Sequence, residues 1–195
     1  MKVSFFIFLM ILSNNMIFAG EMPHIVEPGE TPLGLTIRSD KKEAFLEIIQ
    51  NVKDVNRSNK EQETAILLAT MQQNIEMIQI LIDRGASVNK ADKGGETPIH
   101  VASMHGYREI AELLIGNGAD VNAENKISDT PLHYAAYSGH QGLVEFLIAN
   151  GAEVNKENRV SQTPLSLAEE EKDKQSDLND KYQNIIDILK EHGAK

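Results

Sequence analysis

One short motif, repeated at a fixed interval, constrains this chain more than any other feature. Thr97-Pro98-Ile99-His100 returns as Thr130-Pro131-Leu132-His133 and again as Thr163-Pro164-Leu165-Ser166, at steps of 33 residues. Gly118-Ala119-Asp120-Val121-Asn122 returns as Gly151-Ala152-Glu153-Val154-Asn155 at the same interval. Stepping back finds Thr64-Ala65-Ile66-Leu67 with Gly85-Ala86-Ser87-Val88-Asn89, then Thr31-Pro32-Leu33-Gly34 with Val55-Asn56. Self-similarity at such a period marks stacked units, each of which buries its apolar face only against its neighbours.

Each recurring residue has a physical task. A Thr before Pro starts a helix: the hydroxyl caps a free N–H, and Pro at the first helical position has none to leave unpaired. Ile110, Leu113 and Leu114 fall at helical spacing, as do Leu143, Phe146 and Leu147, so each second helix carries an apolar stripe. Gly118 and Gly151 follow those stripes, where a left-handed cap needs a residue without Cβ. The unit reads as turn, short helix, loop, longer helix, cap. Trp and Cys are absent and aromatics are few, so the core is aliphatic and disulfides, thiolate metal sites and Cys nucleophiles are excluded.

The period and the Thr-Pro-Leu-His and Gly-Ala-Asp-Val-Asn motifs resemble ankyrin repeats over about residues 25–195. The resemblance implies an all-α solenoid of about five stacked helix-turn-helix repeats, curved, with hairpin-like tips to one side. On this reading residues 28–57 are a degenerate N-terminal capping repeat, followed by repeats at 58–90, 91–123 and 124–156. Residues 157–195 are then an extended C-terminal repeat. Two departures stand out. Val52 occupies the Gly position of the first unit, where a β-branched residue resists a left-handed cap. Gly193-Ala194 arrive nine residues late, so an acidic insertion within residues 169–181 lengthens the first helix or the loop after it. Such an enlargement costs only about 1 kcal/mol in closure entropy.

The N-terminus reads as an export signal. Lys2 is basic, Val3 to Leu12 are almost wholly apolar, polar Ser13, Asn14 and Asn15 follow, and Ala19-Gly20 offers small residues for cleavage. Residues 1–19 are therefore expected to be removed and 20–27 to lead into the repeats. The apolar run is shorter than the roughly 20 residues a membrane helix needs, so no stable span is expected after cleavage. An exported protein, periplasmic or secreted, follows. The formal charge of −10 argues against nucleic acid, which requires clustered Lys and Arg.

No phosphate loop, zinc-protease motif, nucleophile elbow or calcium loop is present. His100, His133 and His140 belong to the repeat pattern and are expected to bond turn backbone; His105 is outside the pattern and expected to be exposed. Asp173, Asp177 and Asp180 with Glu169 or Glu170 offer a candidate acidic helix face for catalysis or metal, weighed against a solvated charge run. Asn56-Arg57-Ser58 is an N-glycosylation sequon. No cofactor, metal site or catalytic residue is assigned.

Two series of variable positions carry apolar residues where polar ones would be expected. They are Met71, Met104, Tyr137 and Glu170 before the mid-repeat turn, and Glu61, Gly94, Ile127 and Val160 at the tips. The expected contact patch is Met71, Met104, His105, Ile127, Tyr137 and Val160, rimmed by Lys126, Asp129 and Arg159. Met and Tyr are favoured in interface cores. The expected function is non-catalytic binding of a protein partner, as a monomer outside the cytoplasm, inhibiting, protecting or assisting an envelope enzyme. The alternatives are a secreted effector that binds a host protein, or an enzyme or metal-binding protein using the acidic insertion.

Overall fold

The computed structural model describes residues 30–174 and 179–195. The expected signal peptide and the segment after it lie outside the described residues. Ten helices are present among the described residues: α1 (Pro32–Arg38), α2 (Lys42–Ile49), α3 (Ala65–Met71), α4 (Ile75–Asp83), α5 (Pro98–His105), α6 (Arg108–Gly116), α7 (Pro131–Tyr137), α8 (Gln141–Ala149), α9 (Pro164–Lys174) and α10 (Asn179–Glu191). They form five pairs, and the first helices also pack in series, α1 on α3, α3 on α5, α5 on α7 and α7 on α9. The architecture is the expected all-α repeat solenoid.

Local chemistry sets the helix starts. Thr31, Thr64, Thr97 and Thr130 are extended N-caps, followed by Pro at all but Thr64. In α5 and α7 the cap is reciprocal: the backbone N–H of Thr97 donates to His100 Nδ1 at 3.2 Å, and that of Thr130 to His133 Nδ1 at 3.1 Å. Gly85, Gly118, Gly151 and Gly193 end the second helices with positive φ, while Val52 makes no such cap. The first unit thus closes differently from the rest, as its β-branched residue requires.

The buried stripe of each second helix differs slightly from the sequence expectation. In α6 it is Ile110, Ala111 and Leu114, and in α8 it is Leu143, Val144 and Leu147. Leu113 and Phe146 lie half-buried beside it. Arg108 places its guanidinium 5.1 Å from the Phe146 ring centre, covering the flank of that stripe.

Two backbone-linked ladders join the repeats. Asn56, Asn89, Asn122 and Asn155 each donate from the side-chain amide to the carbonyl of Gly85, Gly118, Gly151 and Gly193 at 2.8–3.0 Å. Their Oδ1 atoms accept from the N–H of Ser87, Asp120, Glu153 and Lys195. The Asn56 amide of the glycosylation sequon is therefore taken up at both ends. At the tips Lys93 N donates to Glu61 O, Lys126 N to Gly94 O and Arg159 N to Ile127 O, at 2.9–3.0 Å.

Candidate binding face

The first helices present one equivalent position per repeat: Arg38, Met71, Met104, Tyr137 and Glu170. A helical side chain leans toward the N-terminus of its helix. At both ends of this row the lean is visible in a bond. Arg38 Nε lies 3.6 Å from Glu30 Oε2, and its guanidinium also binds Glu63 of the next repeat. At the far end Gln162 Nε2 donates to Glu170 Oε2 at 3.1 Å. Glu30, Glu63, Glu96, Asp129 and Gln162 are themselves one position per repeat, just before the Thr caps. The two rows therefore share a face, with the acidic row on the tip side.

The carboxylates in the middle of that row are held by neutral donors. Glu96 Oε1 accepts from Asn125 Nδ2 and from the Tyr134 hydroxyl, both at 2.7 Å. Asp129 Oδ1 accepts from Asn158 Nδ2 at 2.8 Å. Burial, reinforced by Glu96, pushes the Tyr134 phenol well above its ordinary pKa, so it stays a donor. His100 Nδ1 stands 4.0 Å from Glu96, but the ring is neutral: Nδ1 accepts from Thr97 N, leaving Nε2 to donate to the Asp129 carbonyl at 3.1 Å. Burial lowers the pKa of His100 and His133 alike. Among the described residues neither Glu96 nor Asp129 forms an ion pair with Lys or Arg.

The expected contact residues fall into two strips flanking these carboxylates. Met71, Met104 and Tyr137 end the first helices, and Ile127 and Val160 cap the tips; all five are exposed, from 38% for Met71 to 71% for Val160. Lys126 and Arg159 are exposed beside the tip residues. They continue a basic tip series with Lys60 and Lys93. Asp129, expected on the rim, is instead half-buried between the strips, because Asn158 draws its carboxylate inward. His105 is exposed and stacks on Tyr107 with ring centres 5.3 Å apart.

The row is held from behind by the following repeat. His140 Nε2 donates to the carbonyl of Met104 at 3.0 Å, and the Tyr182 hydroxyl donates to that of Tyr137 at 3.0 Å. Lys181 adds a bond to the Ser138 carbonyl at 3.2 Å. Met104 and Tyr137 thus stand on fixed backbone while their side chains face solvent, an arrangement that lowers the ordering cost of a contact.

The described part of the acidic insertion is divided between two helices. It extends α9 to Lys174, while Asp180 lies in α10 and Asp177 lies outside the described residues. Glu170 and Glu171 pair with Lys174 at 2.8 and 3.0 Å, and Glu169 with Lys190 at 2.9 Å. Lysines alternate with the acids, so the charge is compensated locally. Asp173 lies near the end of α9 and Asp180 near the start of α10, so these two stand on different helices.

Sequence reasoning missed Arg38, Tyr134 and the acidic row apart from Asp129. Extending the row of Met71 back by one period would have found Arg38, and the same step applied to Glu96 would have found Glu63 and Glu30. The Tyr134–Glu96 bond, between residues 38 apart, has no comparable signal.

Among the described residues no helix is long and apolar enough to cross a membrane. No curated protein sequence matches the chain. The family model for ankyrin repeats (3 copies) matches residues 33–125 and 117–195, nearly the whole described fold. Ankyrin repeats are protein–protein interaction modules, and this chain belongs to that family.

Proposed function

We propose that the chain is a non-catalytic, monomeric binding module working outside the cytoplasm, where it grips one protein partner and inhibits, protects or assists it. The observation that carries this reading is the alignment of Met71, Met104 and Tyr137 at one position of successive repeats, all exposed, the last two on backbone fixed from behind. Scattered exposed apolar residues are ordinary, but a row of Met and Tyr at the ends of packed helices has the composition of an interface core. The basic, apolar and small-residue pattern of residues 1–20 supports export.

Affinity capture from the cell-envelope fraction tests the reading, run beside a Met104→Ala/Tyr137→Ala variant that melts like the parent. One dominant partner lost with the variant supports both the location and the face. A partner held equally by both proteins removes this face from the function.

A further inference from the structure

The geometry points to a partner segment that sets an apolar side chain against Met104 and Tyr137 and inserts an Arg or Lys between Glu96 and Asp129; this rests on the binding face proposed above. The argument comes from the chain's own first repeat. Arg38 occupies the position of Met71, Met104 and Tyr137, and its guanidinium bridges Glu30 of its own repeat and Glu63 of the next. Two periods later the same frame recurs with a change of chemistry. The carboxylates remain, as Glu96 and Asp129, but the bridging position is Met104, an apolar residue that cannot neutralise them.

The pair equivalent to Glu30 and Glu63 around Met104 is Glu96 and Asp129. Asn125, Tyr134 and Asn158 fix both carboxylates in place without neutralising them. A guanidinium approaching from solvent would find two preoriented carboxylates of adjacent repeats beside an apolar surface, as Arg38 does from within the chain. Charge-assisted hydrogen bonds are stronger than neutral ones, and a planar guanidinium can bridge two acceptors. The net charge of −10 adds long-range attraction for a basic segment. Arg38 is thus an internal copy of the contact the partner supplies.

The test uses the full-length chain and three synthetic peptides of equal length with alternating Leu and Arg, Leu and Gln, or Leu and Glu. Binding is followed by fluorescence anisotropy at low and physiological salt. The Leu–Arg peptide is expected to bind at least about tenfold more tightly than the Leu–Gln peptide, and the Leu–Glu peptide not at all. Glu96→Gln/Asp129→Asn should weaken Leu–Arg binding by about tenfold or more. A charge-matched control on the opposite helices, Glu109→Gln/Glu145→Gln, should change it by less than about threefold.

A second comparison does not depend on the acidic pair folding normally when altered. Met104→Arg supplies the cation in cis and should abolish binding with an unchanged or raised melting temperature, whereas Met104→Gln should retain part of it. Equal losses from the control and the Glu96/Asp129 variant, or equal binding by Met104→Arg and Met104→Gln, overturn the proposal. The broader reading is judged separately. An envelope partner lost with Met104→Ala/Tyr137→Ala but kept by Glu96→Gln/Asp129→Asn leaves the face standing and rejects the cation.

Discussion

The hydroxyl of Tyr182 meets the carbonyl of Tyr137 across 45 residues, where His140 meets the carbonyl of Met104 across 36. The difference is the nine-residue insertion, and the bond is the same. Asn155 likewise reaches Gly193 across 38 residues, where its predecessors span 29. Most of the extra chain lengthens α9 at its end and α10 at its start, relative to α7 and α8, and the register after it is restored.

Removing Lys172–Asp180 while replacing Glu171→Ser and Lys181→Gly, which reproduces Ser138-Gly139 of the preceding repeat, should therefore leave a folded stack. The deletion discards the exposed Lys174–Glu170 pair, which contributes little, and Glu171→Ser removes the buried carboxylate that pairs with Lys174. The chain removed is extra length whose closure cost changes slowly. A melting temperature within about 4 °C of the parent is expected by circular dichroism. Loss of cooperative unfolding would show that the insertion is part of the core.

Acid should destabilise the stack before ordinary carboxylates titrate. Burial lowers the pKa of His100, His133 and His140 in the folded chain, against about 6.5 when unfolded. Between the two values the unfolded state binds more protons, so stability falls as pH drops below about 6.5 and levels off below the folded values. Urea melts from pH 7.5 to 5 should show this decline. His100→Gln retains a side chain able to cap Thr97 but cannot titrate, so its decline should be shallower. Parallel slopes for the two proteins would assign the effect to other groups.

What was legible in the sequence was what is local or periodic. Thr97, Pro98 and Gly118 impose backbone conformations by their own covalent structure, so their recurrence gave helix starts and ends directly. The exposed residues Met104, Tyr137 and Val160 could be found because the period separates positions that pack from positions that vary. The acidic face expected from helical spacing needs one helix through Asp173 and Asp180, and these two stand on α9 and α10. The stripe was misread at Leu113 and Phe146, where the small Ala111 and Val144 let neighbouring helices approach and displace the larger residues to the flank. Arg38 was hidden by its chemistry: a charged residue heading an apolar series looks like an exception until its two carboxylate partners are seen.

Exposure separates stability from binding at Met104 and Tyr137. Changing either to Ala should shift unfolding by no more than about 0.5 kcal/mol, since their side chains face solvent. Leu132→Ala, in the fully buried core, should cost about 2–5 kcal/mol. Partner affinity is expected to behave in the reverse order, with Tyr137→Ala costing about 2 kcal/mol or more. Denaturant melts and titrations on the same samples provide the check, and a large stability loss at Tyr137 would contradict it.

Two glycines with the same backbone conformation should respond unequally to a methyl group. Gly106 and Gly139 end successive first helices with φ of 72° and 74°, so Ala at either pays the same left-handed penalty, about 1–2 kcal/mol. Their surroundings differ. A Cβ on Gly106 would lie 2.5 Å from His140 Nδ1 and 2.7 Å from Cε1, inside a rigid ring that is tied to the Met104 carbonyl. A Cβ on Gly139 would meet the end of the flexible Lys181 side chain, which can move aside. Gly106→Ala should therefore destabilise the stack by at least about 1 kcal/mol more than Gly139→Ala, because the ring must shift and forfeit its hydrogen bond. The larger loss should also blunt partner binding, since the displaced imidazole no longer fixes the backbone beneath Met104. Equal urea midpoints for the two variants would mean that the His140 ring does not hold that end of the row.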